Sequence, residues 1–412
     1  MRHRLFLIAA VTAGVACSRA SGQLPESVSV AHDLMLQHHE FRADQLAKPY
    51  ATESSGNPPR VVRQPANAAL HVPAGFHVSL FADKLGNPRA MLQAPNGDVI
   101  VSEPGEGKIT ILRDANHDGI AEQQFTFASG LDDPYGLAFH DRWLYVGNEG
   151  AVVRFPYAPG QTAAKGNPEQ ITSLPSGGHS TRGVIFNRTG TKMYVSIGSS
   201  SNVSTGEPPE RAAIIELNPD GSGKRIFASG MRNPVGMAWE PVTGALWTAV
   251  NERDGLGDEL VPDYATNVQD GAFYGWPYAY LGQHEDPRHA GERPDLVKKT
   301  ILPSVLIQSH SAPLGIAFYQ GAMFPAAYRG RAFVALHGSW NRSLRTGYKI
   351  ISIPFRNGQP TGGYDDFIAG WMTDETSREV WGRPVGLLVL ADGSLLISDD
   401  GAGKIWRVTY GK

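Results

Sequence analysis

NPVGMAWE at residues 233–240 decides the fold, because five other stretches repeat its plan. They are NPRAMLQAP (87–95), DPYGLAFH (133–140), STRGVIFN (180–187), APLGIAFY (312–319) and RPVGLLVL (383–390). Each is a short loop, a small residue and an apolar strand. Aligned on Ala90, Gly136, Gly183, Gly236, Gly315 and Gly386, successive copies stand 46, 47, 53, 79 and 71 residues apart. A second strand follows each copy, as in DVIVSE, KMYVSIGSS and SLLISDD, and a third usually follows that, as in KITILRDA and KIWRVTY. Some units add a fourth, such as QQFTFAS. Four strands in each of six units is the pattern of an all-β, six-bladed β-propeller. The unequal period argues against an open solenoid, which stacks uniform repeats. The last unit stops after its third strand, while FHVSLFA (76–82) stands alone before the first. The sequence therefore predicts that this early strand closes the last blade and removes a free edge.

The composition agrees. The 412 residues include 47 Gly and 29 Pro, which suits short strands and tight turns. A net charge of −3 gives no overall field for nucleic acid or an anionic membrane. Arg2 and Arg4 precede an apolar stretch over residues 5–16, too short to span a bilayer and typical of an export signal. Cys17 is the only cysteine, so no disulfide forms within the chain. GVAC (14–17) resembles a lipoprotein cleavage box with Cys17 as the lipidated residue, and ordinary cleavage near residues 20–22 is the alternative. Either places the mature protein in the periplasm or outside the cell, membrane-anchored in the first case. The expected division is a signal peptide over 1–22, an extension or linker over 23–70 and a propeller over 71–412. Within the extension a short helix is expected over residues 29–45, with His38 and His39 on its solvated face.

In a propeller, the loop leading into each innermost strand and the loop leaving the second strand share one face. That register gathers Arg182, Arg232, Asn233, His179, His310, Trp381 and Arg383 around one channel mouth. ERDGLGDE (252–259), HGSWNR (337–342) and Asp399 with Asp400 join them. The long spacings of blades four and five put their extra residues on this face, as a binding face requires. Arg232, Arg342 and Arg383 read as a local cationic ring. Guanidinium forks match planar carboxylates, and Trp340 and Trp381 could offer flat apolar surface. His179, in the turn GGHSTR, is the side chain suited to take a proton, kept neutral by nearby cations. DANHDG (114–119) begins like a calcium loop, but Phe125 stands where the closing Glu belongs, so it reads as a hairpin turn. No dinucleotide fingerprint, P-loop, HExxH or GxSxG motif is present.

These motifs resemble the soluble quinoprotein sugar dehydrogenases, most closely the sorbosone/pyranose dehydrogenase-like branch. GGHSTRG, GMRNPVGMAW, NERDGLGDEL, YGWPY, HGSWNR and GRPVGL with SDDGAGKIWRV carry the resemblance over most of residues 75–410. It implies a propeller that binds pyrroloquinoline quinone (PQQ) and Ca²⁺ and oxidises an aldose, pyranose or sorbosone-like sugar, passing electrons to an external acceptor. His179 would be the general base. Arg232 and Asn233 would contact the quinone, and Arg342 and Arg383 would match further cationic partners. Backbone carbonyls around Arg253 and Asp254 would hold Ca²⁺. Glucose-oxidising members carry an acidic residue where this chain has Gly178, and a Gln absent from DPYG, which points away from glucose. Two other readings stay open on the residues alone. One is a Ca²⁺-dependent lactonase-like hydrolase with Glu103, Asn233 and Asp399 as ligands. The other is a non-enzymatic propeller that binds a glycan or protein.

Overall fold

The computed structural model describes residues 28–34 and 37–411. The expected signal segment, with Cys17 and the cleavage sites, lies outside them. Six antiparallel sheets form the propeller, five of four strands and one, that of blade five, of five. Blade one is Met91–Gln93, Val99–Glu103, Lys108–Arg113 and Gln123–Ala128 in spatial order. Blades two and three repeat this plan. Blade four draws its last strand, Val305–Ile307, from beyond an insertion that holds the short helix Pro294–Lys299. Blade six is Pro384–Val389, Leu395–Asp399, Lys404–Tyr410 and then Phe76–Ala82, with Tyr410 opposite Phe76 and Val408 opposite Val78. The early strand thus closes the ring as expected. DANHDG forms the connection between the third and fourth strands of blade one, on the face away from the mouth.

The small residue in each repeat has a steric cause. A Cβ on Gly136 would stand 2.4 Å from Arg182 O, on Gly236 2.4 Å from Leu314 O, and on Gly315 2.3 Å from Val385 O. On Gly386 it would stand 2.1 Å from Arg89 O. Each of these glycine anchors therefore lies against the carbonyl that precedes the next blade's anchor. The residues just before four anchors, Tyr135, Val235, Leu314 and Val385, form one buried apolar cluster that plugs the channel. The mouth above it consequently has an apolar floor.

Residues 29–45 do not form the expected helix. Ser29–Ala31 pairs with Ala69–His71, His38–His39 adds a fifth strand to blade five, and among the described residues of this stretch only Ala43–Gln45 turns helically, as a 3₁₀ turn. His38 and His39 are not on a solvated helix face, since they meet Asp365 and Asp366. Blade five's last strand offers an open edge and two carboxylates, and this long-range pairing outweighs a weak local helical pattern. Among the described residues no helix is long and apolar enough to cross a membrane.

Candidate functional site

The mouth is assembled by backbone bonds between neighbouring blades. His179 N donates to Ser199 O (3.0 Å), and Ser199 N donates to Arg232 O (2.8 Å). The turn into blade three, the exit of its second strand and the start of blade four are thereby laced side by side. Gly198 lies between the two halves, where a Cβ would be 2.3 Å from Asn233 Oδ1 and 2.6 Å from His179 Cβ.

The hydrogen bonds of His179 fix its tautomer. Nδ1 lies 2.7 Å from Ser199 O, and a carbonyl can only accept, so Nδ1 carries the proton. Nε2 is then the basic nitrogen. Burial, followed by the adjacent Arg232 cation, pushes the pKa down to about 4. The ring is neutral at ordinary pH and free to accept a proton. Gly178 before it has φ +70°, and a Cβ there would fall 2.2 Å from Ser200 Cα. The absence of an acidic residue at that position is therefore built into this turn.

Arg232 donates to Asn202 O (3.3 Å), Glu252 O (2.9 Å) and Asp254 Oδ2 (3.2 Å). Three of its five N–H groups are taken, which holds the guanidinium still and leaves two donors. Asn233 starts the innermost strand of blade four, and its Oδ1 is buried with no partner. A buried amide oxygen without a donor costs free energy unless something binds there.

The remaining residues singled out from the sequence are placed differently. Arg182 is fully buried and donates to the carbonyls of Pro175, His179 and Thr181, so it staples the GGHSTR turn from behind. Trp381 is only 2% exposed, donates to Gly370 O and packs on Trp371 and Trp406, so it offers no surface to a ligand. Trp340 is half exposed. Arg342 bonds Asp258 O and the Glu259 carboxylate, and Arg383 donates to His337 O (3.2 Å) and Gly338 O (3.3 Å). The three arginines are thus loop ties as much as a cationic ring. The Arg253 side chain is buried between Glu252 and Asp286. Asp254 O already accepts from Asn202 Nδ2 (2.9 Å) and Arg288 Nη1 (2.8 Å). As arranged, that carbonyl does not fit a Ca²⁺ ligand.

The far side of the mouth, from blades five, six and one, holds a second ionic group. His337 Nε2 meets Asp400 Oδ1 at 2.9 Å, and Arg89 reaches Asp400 Oδ2 at 2.8 Å. Although burial opposes it, His337, Arg89 and Arg383 hold the Asp400 carboxyl well below its usual range. Sequence register placed Asp400 and His337 here but passed over Arg89, which sits inside the NPRA repeat, and Arg211, which donates to Gly198 O (3.1 Å) behind the His179 turn.

The two carboxylates of the lactonase-like reading are already engaged by groups of their own loops and strands. Asp399 caps Arg383 N (2.7 Å) and Ala402 N (2.9 Å), and Glu103 accepts from Gly86 N (2.5 Å) and Thr110. These carboxylates secure loops in separate blades. Among the described residues, a metal-like grouping occurs at Asp114, Asp118 and Glu122, on the opposite face.

Residues 70–272 and 294–411 match the TrAA12-like family. The chain belongs to that family. An uncharacterized protein of Borreliella burgdorferi is 29% identical over 85% of this chain and 94% of its own length. The pyrroloquinoline quinone-dependent pyranose dehydrogenase of Coprinopsis cinerea is 23% identical over 82% of this chain. The chain spans about half of that enzyme, 54% of its length. The holo form of its PQQ domain has the same fold, with a TM-score of 0.71 at 21% identity, covering 85% of this chain and 99% of that one. The family's curated relatives thus include PQQ-dependent sugar dehydrogenases, which are oxidoreductases.

Proposed function

We propose that this chain is a PQQ-dependent dehydrogenase that oxidises a sugar or sugar aldehyde at the blade three–four edge of the mouth. The observation that carries it is His179, with Nδ1 fixed on Ser199 O and a neutral Nε2 beside Arg232. The two free N–H groups of Arg232 would hold the cofactor's oxygens, and the partnerless Asn233 Oδ1 would accept from its N–H. When bound, PQQ supplies a planar two-electron oxidant.

His179 Nε2 would take the hydroxyl proton of the carbon being oxidised (the hydrate's, for a sugar aldehyde), whose two electrons and second hydrogen would go to the bound PQQ. That proton transfer contributes about 10²–10⁴-fold. Ser199 O holds the imidazole in the required tautomer and steadies the cation that forms. Arg232, fixed by three acceptors, is preorganised to stabilise negative charge developing on an oxygen. The floor of Tyr135, Val235, Leu314 and Val385 excludes water from beneath the site.

Export directed by residues 1–22 and electron delivery to an external acceptor belong to the same proposal, the former resting on the sequence pattern alone. The test is a titration of the purified protein with PQQ followed by absorbance, then dye reduction with a panel of aldoses, pyranoses and sorbosone-like aldehydes. A saturable spectral change and reduction with at least one sugar are expected. No spectral change at any PQQ concentration would refute the proposal.

A further inference from the structure

Two insertion loops on the mouth, 254–259 and 339–346, are zipped to each other. Asn341 Nδ2 bonds Asp254 Oδ1, Arg342 bonds Asp258 O and Glu259, and Ser343 N donates to Asp258 Oδ1 (3.0 Å). The first loop holds Asp254, which positions Arg232. Neither loop is a regular strand, so its shape rests on what ties it down.

The ties include a segment more than 200 residues away in sequence. Tyr50 N donates to Leu256 O (2.8 Å), and Thr52 Oγ1 accepts from Asp258 N (2.7 Å). At Gly257, φ +106°, a Cβ would stand 2.9 Å from Thr52 O, so loop and segment touch backbone to backbone. Asn57 then binds the second loop with all four of its polar groups. Its N donates to Trp340 O (2.7 Å), and its Nδ2 to Arg342 O (3.1 Å) and Ser343 O (3.2 Å). Its O and Oδ1 accept from Arg345 at 2.9 and 2.8 Å. Arg345 is itself buried. Beyond Asn57 the chain reaches blade six, where Arg60–Val61 pairs with Glu379–Val380 just before Trp381 and Arg383.

We infer that residues 50–57 are a strap that sets the geometry of the cofactor site, with Asn57 as a positioning residue for loop 339–346 and Thr52 for loop 254–259. This rests on the reading of the mouth as a PQQ site. The strap lies on the rim from blade four to blade six and touches none of the reacting groups. Its removal should therefore loosen the site while leaving the blades intact. A residue whose side chain bonds three loop groups at once, with its own backbone bonding two more, fixes conformation better than separate contacts would, because the entropy of ordering it is lost once.

The test compares Asn57→Ala, Thr52→Ala and, as a control on the exposed Glu53 between them, Glu53→Gln in the full chain. PQQ affinity is read by absorbance titration, and backbone hydrogen exchange is read over 254–259 and 339–346. Asn57→Ala is expected to weaken PQQ binding by about tenfold or more, the equivalent of about 1.4 kcal/mol. It should also speed exchange in 339–346 while exchange in the blade-three strands stays unchanged. Thr52→Ala should speed exchange in 254–259, and Glu53→Gln should match the parent. Parent-like affinity and exchange in both alanine variants would overturn the inference. If the parent protein binds no PQQ, the functional reading fails, and the exchange arm alone decides whether the strap orders the loops. If Asn57→Ala does not fold, Thr52→Ala decides on the same two readouts.

Discussion

At the scale of single residues, His179 is the most exposed claim. Its pKa is lowered to about 4, by burial first and Arg232 second, so its neutral form predominates above pH 5. As a base it must be neutral, and activity is lost as pH falls through the folded value. In the PQQ-free protein the His179 imidazole, followed by NMR, should therefore titrate near pH 4 and stay neutral through pH 6.5. Arg232→Gln removes the cation and should move that titration upward, without reaching the ordinary histidine value, because burial remains. His179→Gln should lower kcat by about 10²–10⁴-fold. A titration near 6.5 in the PQQ-free parent would contradict the burial of this imidazole beside Arg232. His179, Arg232 and Asn233 were legible in the sequence because repeat register alone places loop residues on one face. Arg182 and Trp381 were not. Register says which loop a side chain leaves from, not whether it turns outward or folds back onto carbonyls of its own turn, as Arg182 does.

At the scale of elements, the repeating glycines were read as anchors, and packing supplies the reason. Gly315 does not have positive φ, so alanine is conformationally acceptable there. Replacing such a glycine normally stabilises by about 0.4–1 kcal/mol through the unfolded chain. Here its Cβ would stand 2.3 Å from the Val385 carbonyl oxygen, 3.2 Å from Gly386 Cα and 3.3 Å from Leu387 N, all rigid backbone. Overpacking of this kind costs about 1–3 kcal/mol, so Gly315→Ala should destabilise. The sign of the change, measured by urea unfolding, separates the two causes. The extension escaped the sequence reading for a related reason. His38–His39 and Arg60–Val61 are two-residue strands whose partners lie over 300 residues away, and local periodicity carries no trace of them.

At the scale of the whole molecule, the site and the ring are one structure. His179 comes from blade three, Arg232 and Asn233 from blade four, Asn341 from blade five, Arg383 from blade six and Arg89 from blade one. No two neighbouring blades hold the complete mouth, so closure by Phe76–Ala82 is a condition for the site as well as for stability. Phe76 begins that strand and is almost fully buried. Its ring packs edge-on against Phe324, Tyr328, Phe367 and Tyr410, with centroids 4.9–5.0 Å away, which joins blade six to blade five. Phe76→Ala should cost about 3–5 kcal/mol. The loss should be felt at the mouth, some way from the substitution, because opening the last blade separates Arg383 and Asp400 from Arg89. In urea, the PQQ spectral signal and the far-UV signal of the parent should disappear together, as for a single cooperative unit. In Phe76→Ala both midpoints should move down by the same amount. If the PQQ signal were lost at the parent's midpoint while the far-UV midpoint fell, the mouth would be independent of ring closure.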